Sequence, residues 1–203
     1  SNFKTSTNQA PRKSTTGEKG GALKIRLELR SFADIGLVGL PNAGKSTFLD
    51  AVSSAKPKIG DYPFTTIKPN LGTIKYFDKS FVFADIPGLI EGASQGTGLG
   101  IKFLKHISRT KALLIFLDPH NSEYDFENQL KILINEMRHF DSKLLQKDIW
   151  IVLNKIDTVD NLDENLSIID KYIPRELKIN QIRGISSISK QGVKELFDEV
   201  FKS

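Results

Sequence analysis

The stretch Ile35-Gly36-Leu37-Val38-Gly39-Leu40-Pro41-Asn42-Ala43-Gly44-Lys45-Ser46 decides the fold. Ile35 to Leu40 is an unbroken apolar run, the pattern of a strand covered on both faces in a parallel sheet. Pro41 and Gly44 close it, and a helical pattern begins at Lys45. From Gly39 to Ser46 the chain therefore has two glycines with four residues between them, then Lys and Ser, set between a strand and a helix. Glycine lets the backbone curl so that successive N–H groups turn inward toward phosphate oxygens, helped by the positive end of the helix dipole. Gly39, Leu40, Pro41, Asn42, Ala43, Gly44, Lys45, Ser46 and Thr47 are thus expected to cradle the phosphates of a nucleotide. Lys45 would place its ammonium on the β and γ phosphates, and the Ser46 hydroxyl would bind Mg²⁺.

Similar apolar runs recur at Phe81 to Ile86, Ala112 to Leu117 and Ile149 to Leu153, with a shorter candidate at Ile182 to Ile185. Between them Tyr124 to Phe140 reads as a helix, because Phe126, Leu130, Leu133, Ile134 and Met137 recur at helical spacing. This alternation predicts an α/β fold of the P-loop NTPase kind over residues 34–203, with a mostly parallel, doubly wound sheet flanked by helices. Leu23 to Arg30 alternates apolar and charged residues and predicts a half-buried strand, while the first 20 residues read as loop or tail. A lone strand cannot cover its own apolar face. Residues 1–33 are therefore read as a β/loop remnant and linker of an upstream domain, and the chain as a piece of a longer protein.

The 203 residues are 39% hydrophobic and 26% charged, enough to bury one sizeable core. No apolar run reaches the roughly 18 residues of a membrane span, and nothing at the start reads as a signal peptide. Cysteine is absent, which excludes disulfides and thiolate metal sites and makes a cytoplasmic location the expected one. Ser1 to Arg30 holds seven Lys or Arg against two Glu, so the whole net charge of +5 sits in the leading segment. That segment is either a solvated linker or a surface facing nucleic acid.

Three further motifs bear on the same chemistry. Asp85-Ile86-Pro87-Gly88 ends an apolar run, which puts Asp85 at the carboxyl edge of the sheet, where open α/β sheets bind ligands. There it can hold a Mg²⁺ water, and the Gly88 N–H can reach a γ-phosphate. Asn154-Lys155-Ile156-Asp157 ends another run, and a carboxylate at Asp157 can accept from both N1–H and the 2-amino group of guanine. Adenine offers neither donor, so the motif selects GTP over ATP. Lys155 would lie over the base and Asn154 would tie loops together. Asp61-Tyr62-Pro63-Phe64-Thr65-Thr66 stands where a first switch loop belongs, and its threonine hydroxyls can complete a Mg²⁺ shell. Leu89 to Gly100 carries four glycines and suits a second rearranging segment. The cluster Lys102, Lys105, His106, Arg109 and Lys111 is either an RNA-phosphate contact or a solvated helix face.

Taken together these residues resemble the Obg (CgtA-type) GTPases. The resemblance runs through Asn8-Gln9-Ala10-Pro11-Arg12, Gly17-Glu18, Gly39 to Thr47, Tyr62 to Thr66, Asp85 to Gly92 and Gly98-Leu99-Gly100. It implies that residues 1–33 end that family's glycine-rich N-terminal domain. It also implies that Thr66 joins Ser46 and Asp85 as a metal ligand, that Lys45, Thr66 and Gly88 serve catalysis, and that Phe64, Thr65, Thr66, Ile67, Lys68, Ile86 and Pro87 line the nucleotide. Ile156 belongs to the guanine motif, and Ser186-Ser187-Ile188 is implied as the last guanine-contacting loop, with Ser187 where the family usually has Ala. The implied function is a slow, Mg²⁺-dependent GTP switch acting in assembly of the large ribosomal subunit, sensitive to guanosine tetraphosphate and monomeric. Asn42 stands where potassium-stimulated GTPases carry Asn, which implies K⁺ as a second ion. Two other readings compete: a nucleotide-gated module that binds RNA or the ribosome and hydrolyses GTP incidentally, and a related GTPase of tRNA modification.

Overall fold

Ile35–Gly39 forms the strand its apolar run predicts, and all five of its residues are buried. The computed structural model describes residues 6–7, 9, 17–25, 33–59, 69–85, 110–175 and 177–201. In chain order the strands are β1 (Ile35–Gly39), β2 (Lys58–Ile59), β3 (Asn70–Tyr76), β4 (Lys79–Asp85), β5 (Ala112–Leu117), β6 (Asp148–Leu153) and β7 (Ile179–Gly184). The helices are α1 (Lys45–Val52), α2 (Phe126–Phe140), α3 (Leu162–Tyr172) and α4 (Val193–Val200). The strands make one sheet in the order β2-β3-β4-β1-β5-β6-β7. β1 pairs in parallel with β4 and β5, and the parallel ladder continues through β6 to β7. β2 and β3 add an antiparallel edge. The mostly parallel α/β architecture is thus as expected.

The sheet's two faces hold separate cores, because side chains alternate along each strand. Leu113, Ile115 and Leu117 of β5 point to one face, where Leu130, Leu133, Ile134 and Met137 of α2 and Ile169 of α3 cover them. Leu114 and Phe116 point to the other, against Phe48 and Leu49 of α1 and Val193 and Leu196 of α4. Phe48 is fully buried, with its ring 5.2 Å from that of Phe116 and 6.4 Å from that of Phe83. Truncating such a side chain typically costs about 3–5 kcal/mol. α1 therefore starts from a rigid base, and so does the loop before it.

Several boundaries differ from the sequence reading. α2 begins at Phe126, because Asp125 accepts from the N–H of Asn128 at 2.8 Å and caps the helix there. β7 spans Ile179–Gly184 and so starts earlier than the run Ile182 to Ile185 suggested. β3 had no apolar signature: of its residues only Gly72 and Ile74 are buried. Gly72 has a packing role, since a Cβ there would lie 2.1 Å from Ser53 Oγ and 2.6 Å from Leu49 Cδ1. The strand passes under α1 by having no side chain, which a reading of hydrophobic periodicity does not register.

The strand predicted for Leu23 to Arg30 is not formed at its start. Residues 17–25 have no regular structure, and Leu23 and Ile25 are 85% and 71% exposed. No described strand lies alongside them, so pleating would bury nothing there. Residues 26–32 lie outside the described residues. No helix among the described residues is long and apolar enough to cross a membrane.

Candidate functional site

The carboxyl ends of β1, β4, β5 and β6 and the loop after β7 converge on one edge of the sheet, where the topology places a ligand crevice. Gly39 ends β1, and a Cβ there would come within 2.8 Å of Phe116 O. The loop then turns through two left-handed residues, Asn42 (φ 63°) and Gly44 (φ 87°), before α1 starts at Lys45. No side chain caps α1, which leaves the first-turn N–H groups for a ligand. Lys45 reaches back across the loop, and its Nζ donates to Gly39 O at 2.9 Å and Leu40 O at 3.2 Å. Asn42, Gly44, Lys45, Ser46 and Thr47 line a cavity of about 260 Å³. Leu40, Pro41 and Asn42 border a second of about 350 Å³ toward Asp118 and Tyr124. Ala43 is fully buried beneath the loop.

β4 delivers Asp85 to the same edge. The Ser46 hydroxyl donates to Asp85 Oδ2 at 2.5 Å, joining residues 39 positions apart. Asp85 is 5% exposed, and its Oδ1 is buried with no hydrogen bond from any described residue. An oxygen of that kind beside a hydroxyl is a hard-donor pair, the chemistry that suits Mg²⁺ rather than a thiophilic metal.

Asn154 joins the two ends of the crevice. Its side chain is 1% exposed; Nδ2 donates to Ala43 O at 3.0 Å, while Oδ1 accepts from Ser187 N at 3.1 Å and Ser187 Oγ at 2.8 Å. The fit is tight, since a Cβ on Gly44 would sit 2.2 Å from Asn154 Nδ2. The expected tie between loops is therefore present, and Ser187 contributes its hydroxyl as well as its backbone. Ser186 holds the turn that follows, accepting at Oγ from Ser189 N at 3.1 Å. Ile188 projects into solvent at 79% exposure, beyond the buried pair Ser186 and Ser187.

Lys155 has a left-handed backbone (φ 63°), and Ile156–Thr158 follows as a single 3-10 turn. Ile156 is buried and donates its N–H to Ile185 O at 3.1 Å, whereas Asp157 is exposed. The Lys155 ammonium pairs with Asp118 Oδ2 at 2.6 Å. Asp118 is a site residue that the sequence reading missed. It directly follows the apolar run of β5 at the edge where Asp85 ends β4, and that placement was the available signal. Gln129, buried on α2, fixes it by accepting from Asp118 N at 3.0 Å and donating to Asp118 O at 2.9 Å.

The structure thus brings together Gly39 to Thr47, Asp85, Asn154 to Asp157 and Ser186 to Ile188. Phe64, Thr65, Thr66, Ile67, Lys68, Ile86, Pro87 and Gly88 lie outside the described residues, as do Leu89 and the basic cluster from Lys102 to Arg109.

Residues 34–155 match the family described as 50S ribosome-binding GTPase. Among solved structures, the chain is similar to the G domain of the Thermotoga maritima FeoB iron transporter, with a TM-score of 0.61 and 20% identity over 83% of this chain and 96% of that one. It is also similar to a GTP-binding protein of the archaeon Sulfolobus solfataricus in complex with GDP, with a TM-score of 0.66 and 22% identity over 83% of this chain and 51% of that one. This chain thus spans about half the length of the archaeal protein. At such identities the likeness establishes the fold alone.

Proposed function

Because the chain belongs to the 50S ribosome-binding GTPase family and is a GTP hydrolase, we propose that it is a slow, Mg²⁺-dependent GTP switch of the Obg kind that times assembly of the large ribosomal subunit. The observation that carries the guanine assignment is Asn154, which links the phosphate loop at Ala43 to the turn at Ser187, with Asp157 exposed three residues on in the chain. A base that pairs both N1–H and a 2-amino group with one carboxylate is guanine.

The residues divide the work by position. The N–H groups of the Gly39 to Thr47 loop and the first turn of α1 hold the phosphates, and Lys45 neutralises charge that develops on the transferred phosphoryl group. Ser46 and Asp85 are the described residues that would hold Mg²⁺, with Thr66 added by the resemblance. Bound between them, such an ion would supply positive charge to offset that of the phosphates. Gly88 is assigned to the γ-phosphate by its place at the end of the Asp85-Ile86-Pro87-Gly88 motif, and Asn42, exposed on the loop, is assigned to K⁺ by the resemblance. Leu89 follows Gly88 where a water-orienting Gln stands in Ras-like proteins, and leucine offers that water no hydrogen bond. Basal turnover is accordingly expected at or below about 10⁻³ s⁻¹. Large ribosomal particles raise it on this reading, guanosine tetraphosphate competes for the guanine site, and the protein works in the cytoplasm as a monomer.

The test is Asp157→Asn, which replaces an acceptor by an amide donor. The variant is expected to lose GTP affinity and gain affinity for xanthosine triphosphate, whose 2-oxo group accepts from that amide. Unchanged GTP binding with no gain for the xanthine nucleotide would remove the guanine assignment. Single-turnover hydrolysis with and without 50S particles checks the ribosomal part, and equal rates would remove it.

A further inference from the structure

Four residues on two loops close a hydrogen-bonded ring beside the exposed Asp157. Lys155 Nζ donates to Asp118 Oδ2 at 2.6 Å, and the backbone N–H of His120 donates to Asp118 Oδ1 at 2.9 Å. On the other side, Thr158 Oγ1 donates to Lys155 O at 2.6 Å, and His120 Nε2 stands 2.6 Å from the same Oγ1. A hydroxyl has one proton to give. With that proton on Lys155 O, the His120 contact requires the hydrogen to sit on Nε2, so the donors run in one direction from His120 through Thr158 to the Lys155 carbonyl.

The ring holds something that needs holding. Lys155 has φ 63°, a left-handed conformation that a residue with a side chain keeps only where its surroundings over-determine it. Its ammonium and its carbonyl are both members of the ring. Asp118 is itself anchored, being 4% exposed with its backbone N–H and carbonyl bonded to Gln129. Asp157 lies within the short turn bounded by the two ring members Lys155 and Thr158.

We propose that Asp118, His120 and Thr158 are positioning residues for guanine selection: by holding Lys155 in its left-handed conformation, they set the Asp157 carboxylate where it meets both donors of the base. This rests on the assignment of Asp157 to guanine made above. Asp118 belongs to the ring and not to the metal pair at Asp85, although Asp85 ends β4 and Asp118 directly follows β5 at the same sheet edge. The ring contacts the base end of the crevice, so its loss acts equally on diphosphate and triphosphate.

The experiment measures release of fluorescent GDP and GTP, together with the affinity ratio of GDP to IDP, for wild type, Asp118→Asn, His120→Ala, His120→Gln and Thr158→Val. IDP lacks the 2-amino group, so the ratio reports whether Asp157 is aligned for two donors. Asp118→Asn and His120→Ala are expected to release both nucleotides about tenfold faster, by the same factor, as fits one lost charged or strained contact. The GDP:IDP ratio falls with them, and His120→Gln, which retains a side-chain N–H donor, restores it. A role confined to stability lowers the melting temperature and leaves that ratio alone. Should Asp118→Asn fail to fold, Thr158→Val carries the same test at an exposed, volume-matched position. Wild-type release rates and ratios in the folded variants overturn the inference. So does an effect confined to GTP. A wild type that does not prefer GDP to IDP overturns the Asp157 assignment and this inference together, whereas a wild-type preference kept in every variant overturns this inference alone.

Discussion

At the phosphate end of the crevice, the consecutive residues Gly39 to Thr47 supply the loop and the first turn of α1, and Lys45 bonds to carbonyls only six and five positions away. At the base end, the contacts span 33 positions from Asn154 to Ser187 and 37 from Lys155 to Asp118. One end is a local backbone shape that glycine permits. The other is an assembly of strand ends that exists only while the sheet holds β5, β6 and β7 in register. Variants at the phosphate end should therefore change ligand affinity with little change in stability, and variants at the base end should change both. Asn154 touches both ends and tests whether they can be separated at all.

The largest effect is expected from Asn154→Ala. It deletes the bonds to Ala43 O, Ser187 N and Ser187 Oγ and leaves those buried groups without partners. Unpaired buried groups cost about 1–3 kcal/mol each, so a total loss of roughly 3–5 kcal/mol is expected after partial relaxation. Urea unfolding of the nucleotide-free protein measures it. A loss under about 1 kcal/mol would show that the two ends are held together by something other than Asn154.

Next comes Lys45→Ala, which removes one charge-assisted contact to phosphate and no core packing. Affinity for GTP should fall by about 1.5–3 kcal/mol, roughly ten- to a hundredfold, with the unfolding midpoint nearly unmoved. Calorimetric titration beside thermal unfolding separates the two. A large drop in midpoint would mean that the bonds from Lys45 to Gly39 O and Leu40 O carry the loop, and that the phosphate end is less self-sufficient than its short contacts suggest.

Ser187→Ala sharpens the comparison at the base end. Asn154 Oδ1 keeps its bond from the Ser187 N–H and loses only the hydroxyl at 2.8 Å, with no donor stranded. The cost should stay below about 1 kcal/mol in urea unfolding, with GDP affinity within roughly twofold of wild type. A larger change would make the hydroxyl, and not the backbone, the principal contact of that turn.

The smallest effect belongs to a residue on neither end. Burial raises the pKa of Glu136 on α2, with a smaller opposing pull from His139, and its Oε2 is buried without a partner. A carboxyl whose folded pKa lies above its unfolded value favours folding while protonated, and that contribution is lost as pH rises through the folded pKa. Glu136→Gln should thus stabilise the protein slightly at neutral pH and make no difference below about pH 4. Thermal unfolding at the two pH values checks it, and nucleotide affinity should not move, since among the described residues it is Gln129, and not Glu136, that bonds α2 to Asp118 at the crevice. Equal midpoints at neutral pH would show that Glu136 is as well solvated as a surface carboxylate.

Where the sequence was legible, the reason was locality. Gly39 to Ser46 reads as a phosphate loop because two glycines, a preceding buried strand and a following helix are enough to set a backbone curl, and all are neighbours in the chain. The strands β1, β5 and β6 were legible because a parallel strand covered on both faces leaves an unbroken apolar run. β3 was not, since it packs through the absence of a side chain at Gly72. The placement of Asp85 and Asn154 at strand ends followed from the runs they terminate. What they bond there did not, because periodicity tells which face a residue buries and never which residue meets it. That Asp118 pairs with Lys155, that Ser187 gives its hydroxyl to Asn154, and that His120 reaches Thr158 were decided only by the tertiary structure: each contact joins loops that leave strand ends brought side by side by sheet order and register, which no segment of the sequence specifies alone.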